Sequence, residues 1–367
     1  LGDVYKRQVK ARLDGKKDSL RVLQQALEHN PKALSVRAQL AEELLRAGQV
    51  EQVLEVTRGL TDEQYQKQPK LLELRAKAFI LGDDLVSAKR SYQHLTKIAP
   101  DSAQAHYLYA NSLVKSGDSE QAGEELRLAI QLDPNYLPAR TGEIKMLAQQ
   151  GELQLVKNAL VKLKQDFGDR PEVLGIEGWF ALGSGDLVTA EKSLSAAMEK
   201  KSDTELTLLF VRALWLQQKH DESIGVMQDW LAEHPRDLNT LLHLAGAYLS
   251  LNREQEAREM YARVVEFHPK HVAALNNLAW LSRDNDLEQA IIYAEQAHQL
   301  ALNDPYVLDT YGMLLMKKGD VSRGIRMIRA ATERAPENLE MQFHLGRALL
   351  QQDRYAEAQE ILNALIR

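Results

Sequence analysis

Ten histidines, 52 carboxylates and no cysteine limit the chemistry this 367-residue chain can attempt. Without cysteine there is no disulfide, no thiolate nucleophile and no Cys-based zinc site. His268 and His271 are three apart, a spacing that can place two metal ligands on one helix face. Pro269 stands between them, and a helix interior does not tolerate it. His234 precedes Pro235 just as His268 precedes Pro269, so the pair reads as a repeated phrase and not as a metal site. No H-E-x-x-H occurs. The G-x-G of ALGSGDL (181–187) has no third glycine and no preceding strand, so it reads as an inter-helix turn and not as a phosphate cradle. Glu42-Glu43 and Glu124-Glu125 are adjacent pairs, which point in different directions on a helix and read as solvated faces. The basic run Lys10, Arg12, Lys16, Lys17, Arg21 is interrupted by Asp14 and Asp18, and the formal net charge is −6. Neither favours nucleic acid or an anionic membrane as partner. No nucleophile stands in pattern with a base. The chain reads as a non-enzyme with no metal and no cofactor.

The elements around these residues are helices. Ala, Leu, Glu, Gln, Lys and Arg dominate, and alternating strand patterns are hard to find. No run approaches the ~20 apolar residues of a membrane span. LGDVYKRQ (1–8) lacks an initiator Met and fits no repeat; it is read as non-native sequence on an N-terminally truncated chain. Pro100 to Pro134 and Pro235 to Pro269 are each 34 residues apart, and Pro305 to Pro336 is 31. With the closing Pro as position 32, positions 8 and 20 are small and 15 is a turn residue. The unit ending at Pro134 has Ala110, Ala122 and Gly117 there. The unit ending at Pro269 has Ala245, Ala257 and Asn252; the unit ending at Pro336 has Gly312, Gly324 and Gly319. Small residues at 8 and 20 let two helices approach closely. Gly48, Gly82, Gly117, Gly151, Gly185 and Gly319 are expected to end first helices with a positive φ. Asp101, Asp133 and Asn135 offer caps for the helices that follow.

This pattern resembles the tetratricopeptide repeat, a helix pair with a period of 34. The resemblance implies an all-α, right-handed α-solenoid of about ten stacked helix-turn-helix units. Residues 1–31 would hold a truncated leading repeat, 32–170 four N-terminal units and 171–367 six C-terminal units, in one continuous superhelix. Units 32–69 and 135–170 depart from the pattern, with Val53, Leu60, Val156 and Leu163 at small positions. The insertion QDFGDRP (165–171) is expected to alter local curvature.

In such repeats the concave face is built mainly from the first helix, at positions 2, 5, 9, 12 and 13. In the C-terminal half these positions yield a candidate partner-binding groove of Trp179, Arg212, Trp215, Asn276, Trp280, Tyr306, Asp309, Met313, Phe343 and Arg347. Trp and Arg are the residue types enriched in binding hot spots. Trp230, at position 27, reads as core. Asn276, Asn277 and Arg347 partly match the family's clamp for a C-terminal carboxylate, but Asp309 would repel one.

The segments WLAEHPRDLNTLLHLAGAYL (230–249), ALNNLAWL (274–281), AIIYAEQAHQLALNDPYVLDTYGMLLMKKGD (290–320) and FHLGRALLQQDRYAEAQEIL (343–362) follow one another in order within residues 230–367. They resemble the C-terminal third of the tetratricopeptide lipoproteins of PEP-CTERM/exosortase systems. That resemblance implies a periplasm-facing scaffold, outer-membrane-anchored in the full-length protein and linked to exopolysaccharide assembly, with Arg367 near the natural C-terminus. Three readings stay open: a scaffold holding protein or peptide segments, a polysaccharide-binding module using Trp179, Trp215 and Trp280, and a regulatory region of a larger glycosyltransferase-type enzyme. A cytoplasmic location is the alternative to the envelope.

Overall fold

The structure, a computed structural model, describes residues 19–365, with side chains to 363. Residues 1–8 and Lys10–Lys17 of the basic run lie outside the described residues. The chain divides into two compact units, Leu1–Phe180 and Ala181–Arg367.

The first unit opens with α1 (19–29), the leftover second helix expected before Pro31. It continues with α2 (Leu34–Arg46), α3 (Val50–Val56), α4 (Asp62–Lys67), α5 (Lys70–Leu81) and α6 (Leu85–Ile98). Then come α7 (Ala103–Lys115), α8 (Ser119–Leu132), α9 (Leu137–Gln149), α10 (Leu153–Phe167) and α11 (Pro171–Gly183), whose last residues belong to the second unit. The second unit holds α12 (Leu187–Lys200), α13 (Thr204–Leu216), α14 (His220–Glu233), α15 (Leu238–Ser250) and α16 (Glu254–Phe267). It ends with α17 (Val272–Ser282), α18 (Leu287–Leu300), α19 (Pro305–Lys318), α20 (Val321–Arg334), α21 (Leu339–Leu350) and α22 (Tyr355–Leu365). Each unit is an all-α solenoid in which helices pack chiefly on their neighbours in sequence, with α3 and α4 both packed on α5. The helix pairs fall where the prolines place the repeats.

The small positions do what their size allows. Ala76, Ala110, Ala122, Ala245 and Ala257 are fully buried between paired helices. The contact is tightest in α19–α20. A Cβ on Gly312 would stand 2.6 Å from Ile328 Cγ1 and 2.9 Å from the Gly324 carbonyl oxygen, so only glycine fits.

The turns depart from expectation at Gly82. Its φ is −87°, and the left-handed residue is Asp83, at +59°. Gln218, Asn252 and Asp353 take the same left-handed place in their turns. The expected caps shift too. Ser102, not Asp101, caps α7 by accepting from the Ala105 amide at 3.2 Å. Asp133 accepts from the Asn135 amide at 2.9 Å, and Asn135 caps nothing.

Unit 32–69 breaks its second helix. Val53 is fully buried in the seven-residue α3, but Leu60 lies outside any helix. Thr61 starts α4 with a capping box to Gln64, and the buried Tyr65 donates its hydroxyl to the Thr57 carbonyl at 2.8 Å. An aromatic ring thus fills the space a small residue leaves in the regular unit. In unit 135–170, Val156 and Leu163 are fully buried without such a break. Gly168, with φ +65°, ends α10 inside the expected insertion. Glu125 corrects the reading of Glu124-Glu125 as solvated. Its carboxylate turns inward to the buried His106, Nδ1 to Oε2 at 2.5 Å.

Candidate functional site

The first helices of successive repeats touch side by side in the second unit: α13 with α15, α17 with α19, α19 with α21. Positions 2, 5, 9, 12 and 13 therefore share one face. Two grooves open on it.

The larger groove, about 1020 Å³, runs between α13 and α15. From α13 it is lined by Glu205, Leu208, Arg212, Trp215 and Leu216, and from α15 by Asn239, Leu242, His243, Gly246 and Ser250. Its walls are mostly carbon. Trp215 is half-buried, packs on the core around Leu244 and Tyr248, and has the His220 ring 4.3 Å away. Arg212 is exposed and has no ion pair or hydrogen bond among the described residues. Gly246 sits opposite, at the same repeat position, and a Cβ there would meet nothing within 4 Å.

One carboxylate fixes the end of this groove. Asp237 caps α15, accepting from the Thr240 amide at 3.2 Å. Its Oδ2 also accepts from the Thr204 hydroxyl at 2.5 Å and the Trp230 indole N–H at 2.7 Å. Burial pushes the Asp237 carboxyl up. The hydrogen bonds from Thr204, Trp230 and the Thr240 and Asn239 amides outweigh it and leave the group below its ordinary value. Trp230 is half-buried and stacks on His234 at 3.8 Å, serving as a strut for the groove wall.

The smaller groove, about 380 Å³, is lined by Trp280, Arg283, Asp284, Met313, Lys317 and Arg347, on α17, α19 and α21 and the turn after α17. Its charges are mostly tied to one another. Asp284 takes an ion pair from Lys317 and another from Arg283 at 3.3 Å, while the Arg283 guanidinium covers the Trp280 ring at 4.4 Å.

Five of the ten candidate residues thus line grooves: Arg212 and Trp215 in one, Trp280, Met313 and Arg347 in the other. The structure places the other five elsewhere. Asp309 is buried and accepts from His344 Nδ1 at 2.8 Å, which binds α19 to α21. Asn276 is half-buried with its Oδ1 unpartnered. Tyr306 and Phe343 are exposed but line neither groove. Trp179 lies in the first unit, packed on the core around Ile144 and Val173, with Lys145 Nζ 6.0 Å from its ring.

The first unit holds a buried carboxylate that the candidate set omits. Glu73, on α5, accepts from Lys77 at 2.6 Å, Lys70 at 3.3 Å and Gln104 at 3.1 Å. Its position 5 place was the available signal. Gly246 was also missed, though glycine at a groove position without a packing need is visible in the repeat register. His271 caps α17 through Nδ1, accepting from the Ala274 amide at 3.1 Å. Among the described residues no group of three or more His, Asp and Glu could hold a metal ion. No described helix is long and apolar enough to cross a membrane.

Residues 103–136, 214–281 and 312–367 each match the family Tetratricopeptide repeat. The chain carries tetratricopeptide repeats. The segment 214–281 includes Trp215 and all of α15. The chain is 26% identical over 169 residues to a TPR repeat-containing protein of Pseudomonas aeruginosa, covering 45% of this chain and 28% of that one. It is 24% identical over 305 residues to cellulose synthase operon protein C of Xanthomonas axonopodis, covering 77% of this chain and 20% of that one. The chain thus spans under a third of either relative. Among solved structures, MamA of Desulfovibrio magneticus aligns with 44% of this chain and 92% of its own, at 18% identity and a TM-score of 0.40.

Proposed function

We propose that this chain is a non-catalytic scaffold that holds segments of partner proteins in the first-helix grooves of its repeats, within bacterial exopolysaccharide export or assembly. The α13–α15 groove carries the reading: it is large, open and mostly apolar, with an unpaired guanidinium and a tryptophan on one wall. Support for the setting comes from the similarity to cellulose synthase operon protein C and from the PEP-CTERM-like string within 230–367. The PEP-CTERM-like string supports a periplasm-facing placement. Sugar stacking on the tryptophans is the weaker reading, because cations already lie over Trp280 and Trp179.

The test is affinity capture from a bacterial envelope extract with the intact chain and with Gly246→Phe, which fills the groove where nothing else stands. The scaffold reading expects captured proteins that disappear with the variant. Identical captures from both would remove the groove from the function.

A further inference from the structure

The scaffold reading leaves the chemistry of the bound segment open, and the inference here rests on that reading. From Glu205 to Leu216 the groove follows α13 for twelve residues, about 17 Å of helix. That length matches about five residues of extended chain and exceeds the need of a small molecule.

The groove offers two unlike handholds. Trp215, Leu208 and Leu242 present apolar surface, and Arg212 presents a charge. In the smaller groove Asp284 holds Arg283 and Lys317, but Arg212 has no partner among the described residues. Glu205, the groove's acidic residue, lies seven residues, or about two turns, from Arg212 and has a partner of its own. The groove therefore carries an acidic group near the start of α13 and an unsatisfied cation further along it. Arg212 and Trp215 are three apart on α13, so their side chains stand about 5–6 Å apart on one face.

Gly246 points the same way. It lies inside α15 with no positive φ, and nothing approaches its Cβ position. Neither backbone nor packing requires glycine, which costs helix stability there. What its missing side chain provides is room opposite Arg212.

We infer that the α13–α15 groove binds a protein segment that carries a large apolar side chain about 6 Å from an Asp or Glu carboxylate. The apolar group rests on Trp215 and Leu242 and fills the space at Gly246, and the carboxylate pairs with Arg212.

Calorimetric titration of the full chain with ten-residue Gly/Ser-flanked peptides tests this, using Phe-Ala-Glu, Phe-Ala-Gln, Phe-Ala-Lys and Ala-Ala-Glu cores. The Phe-Ala-Glu peptide should bind about fivefold more tightly than its Gln counterpart at low salt. The gap should narrow at high salt and vanish in Arg212→Gln. Gly246→Phe should lose binding of every peptide while keeping its helical circular dichroism and an unfolding midpoint no lower than the parent's. Equal affinity for the Glu, Gln and Lys cores, a gap that survives Arg212→Gln, or no binding by any peptide would overturn the inference. Partners captured through the groove with no Glu preference among the peptides would leave the scaffold reading standing and sink this one.

Discussion

Two glycines at helix interiors should respond to the same substitution with opposite signs. Gly312→Ala puts a methyl 2.6 Å from Ile328 Cγ1, 2.9 Å from the Gly324 oxygen and 3.0 Å from the Ile328 amide nitrogen. Two of those atoms are backbone, so α19 and α20 must separate to admit it. Overpacking of this kind costs about 1–3 kcal/mol, and the upper part of the range applies where backbone must move. Alanine returns about 1 kcal/mol of helix propensity. The net expectation is a loss of about 1–2 kcal/mol. Gly246→Ala meets nothing within 4 Å, so only the propensity acts and stability rises by about 0.5–1 kcal/mol. Urea unfolding followed by circular dichroism, with hydrogen exchange resolved over 305–334 and 238–250, reads both effects. Because repeats couple mainly to neighbours, each change should concentrate in its own pair. A Gly312→Ala protein as stable as the parent, or a Gly246→Ala protein less stable, would refute the packing argument.

Ala122→Glu buries a carboxylate at a fully buried position in α8 and should cost several kcal/mol, read as a lower urea midpoint. Gln218→Gly relieves a left-handed φ of +63° and should raise stability by about 1 kcal/mol, measured the same way. The hydrogen bond that His344 donates to Asp309, against burial and with help from the Asp309 and Glu340 charges, lifts His344 above its ordinary 6.5, while Arg347 opposes. A raised His contributes stability that is complete below its unfolded value and is lost as pH climbs through the folded one. The α19–α21 contact should therefore weaken above pH 6.5, and Asp309→Asn should bring the His344 titration, followed by NMR, down. Asp237→Ala removes the α15 cap and two side-chain hydrogen bonds. It should cost about 2–4 kcal/mol and raise exchange at the ends of α13 and α15.

Much of the fold was legible because the repeat writes each contact more than once. Pro100, Pro134, Pro235 and Pro269 mark unit ends, and Ala110 and Ala122 mark the close helix contact. What single positions decide was less legible. The left-handed turn residue moved from Gly82 to Asp83 because the turn needs the conformation, and Asp can adopt it. Leu60 left its expected helix because Gly59, with φ +71°, and the Thr61–Gln64 capping box compete locally. For the grooves, repeat position gives the face of a helix but not what the next helix places over it. Asp309 and Arg212 both occupy concave positions. His344 reaches across to Asp309, whereas Gly246 leaves Arg212 open. That difference lies in the neighbouring repeat, a helix pair away in sequence.

The central claim is that partners sit between α13 and α15. Site-specific photocrosslinking in cells tests it, with benzoylphenylalanine at Leu216, an exposed residue on the rim of the groove, and, as control, at Ile292, an exposed residue of the second helix α18. The account predicts discrete protein adducts from position 216 and none from 292. Adducts from 292 alone, or equal adducts from both, would contradict it.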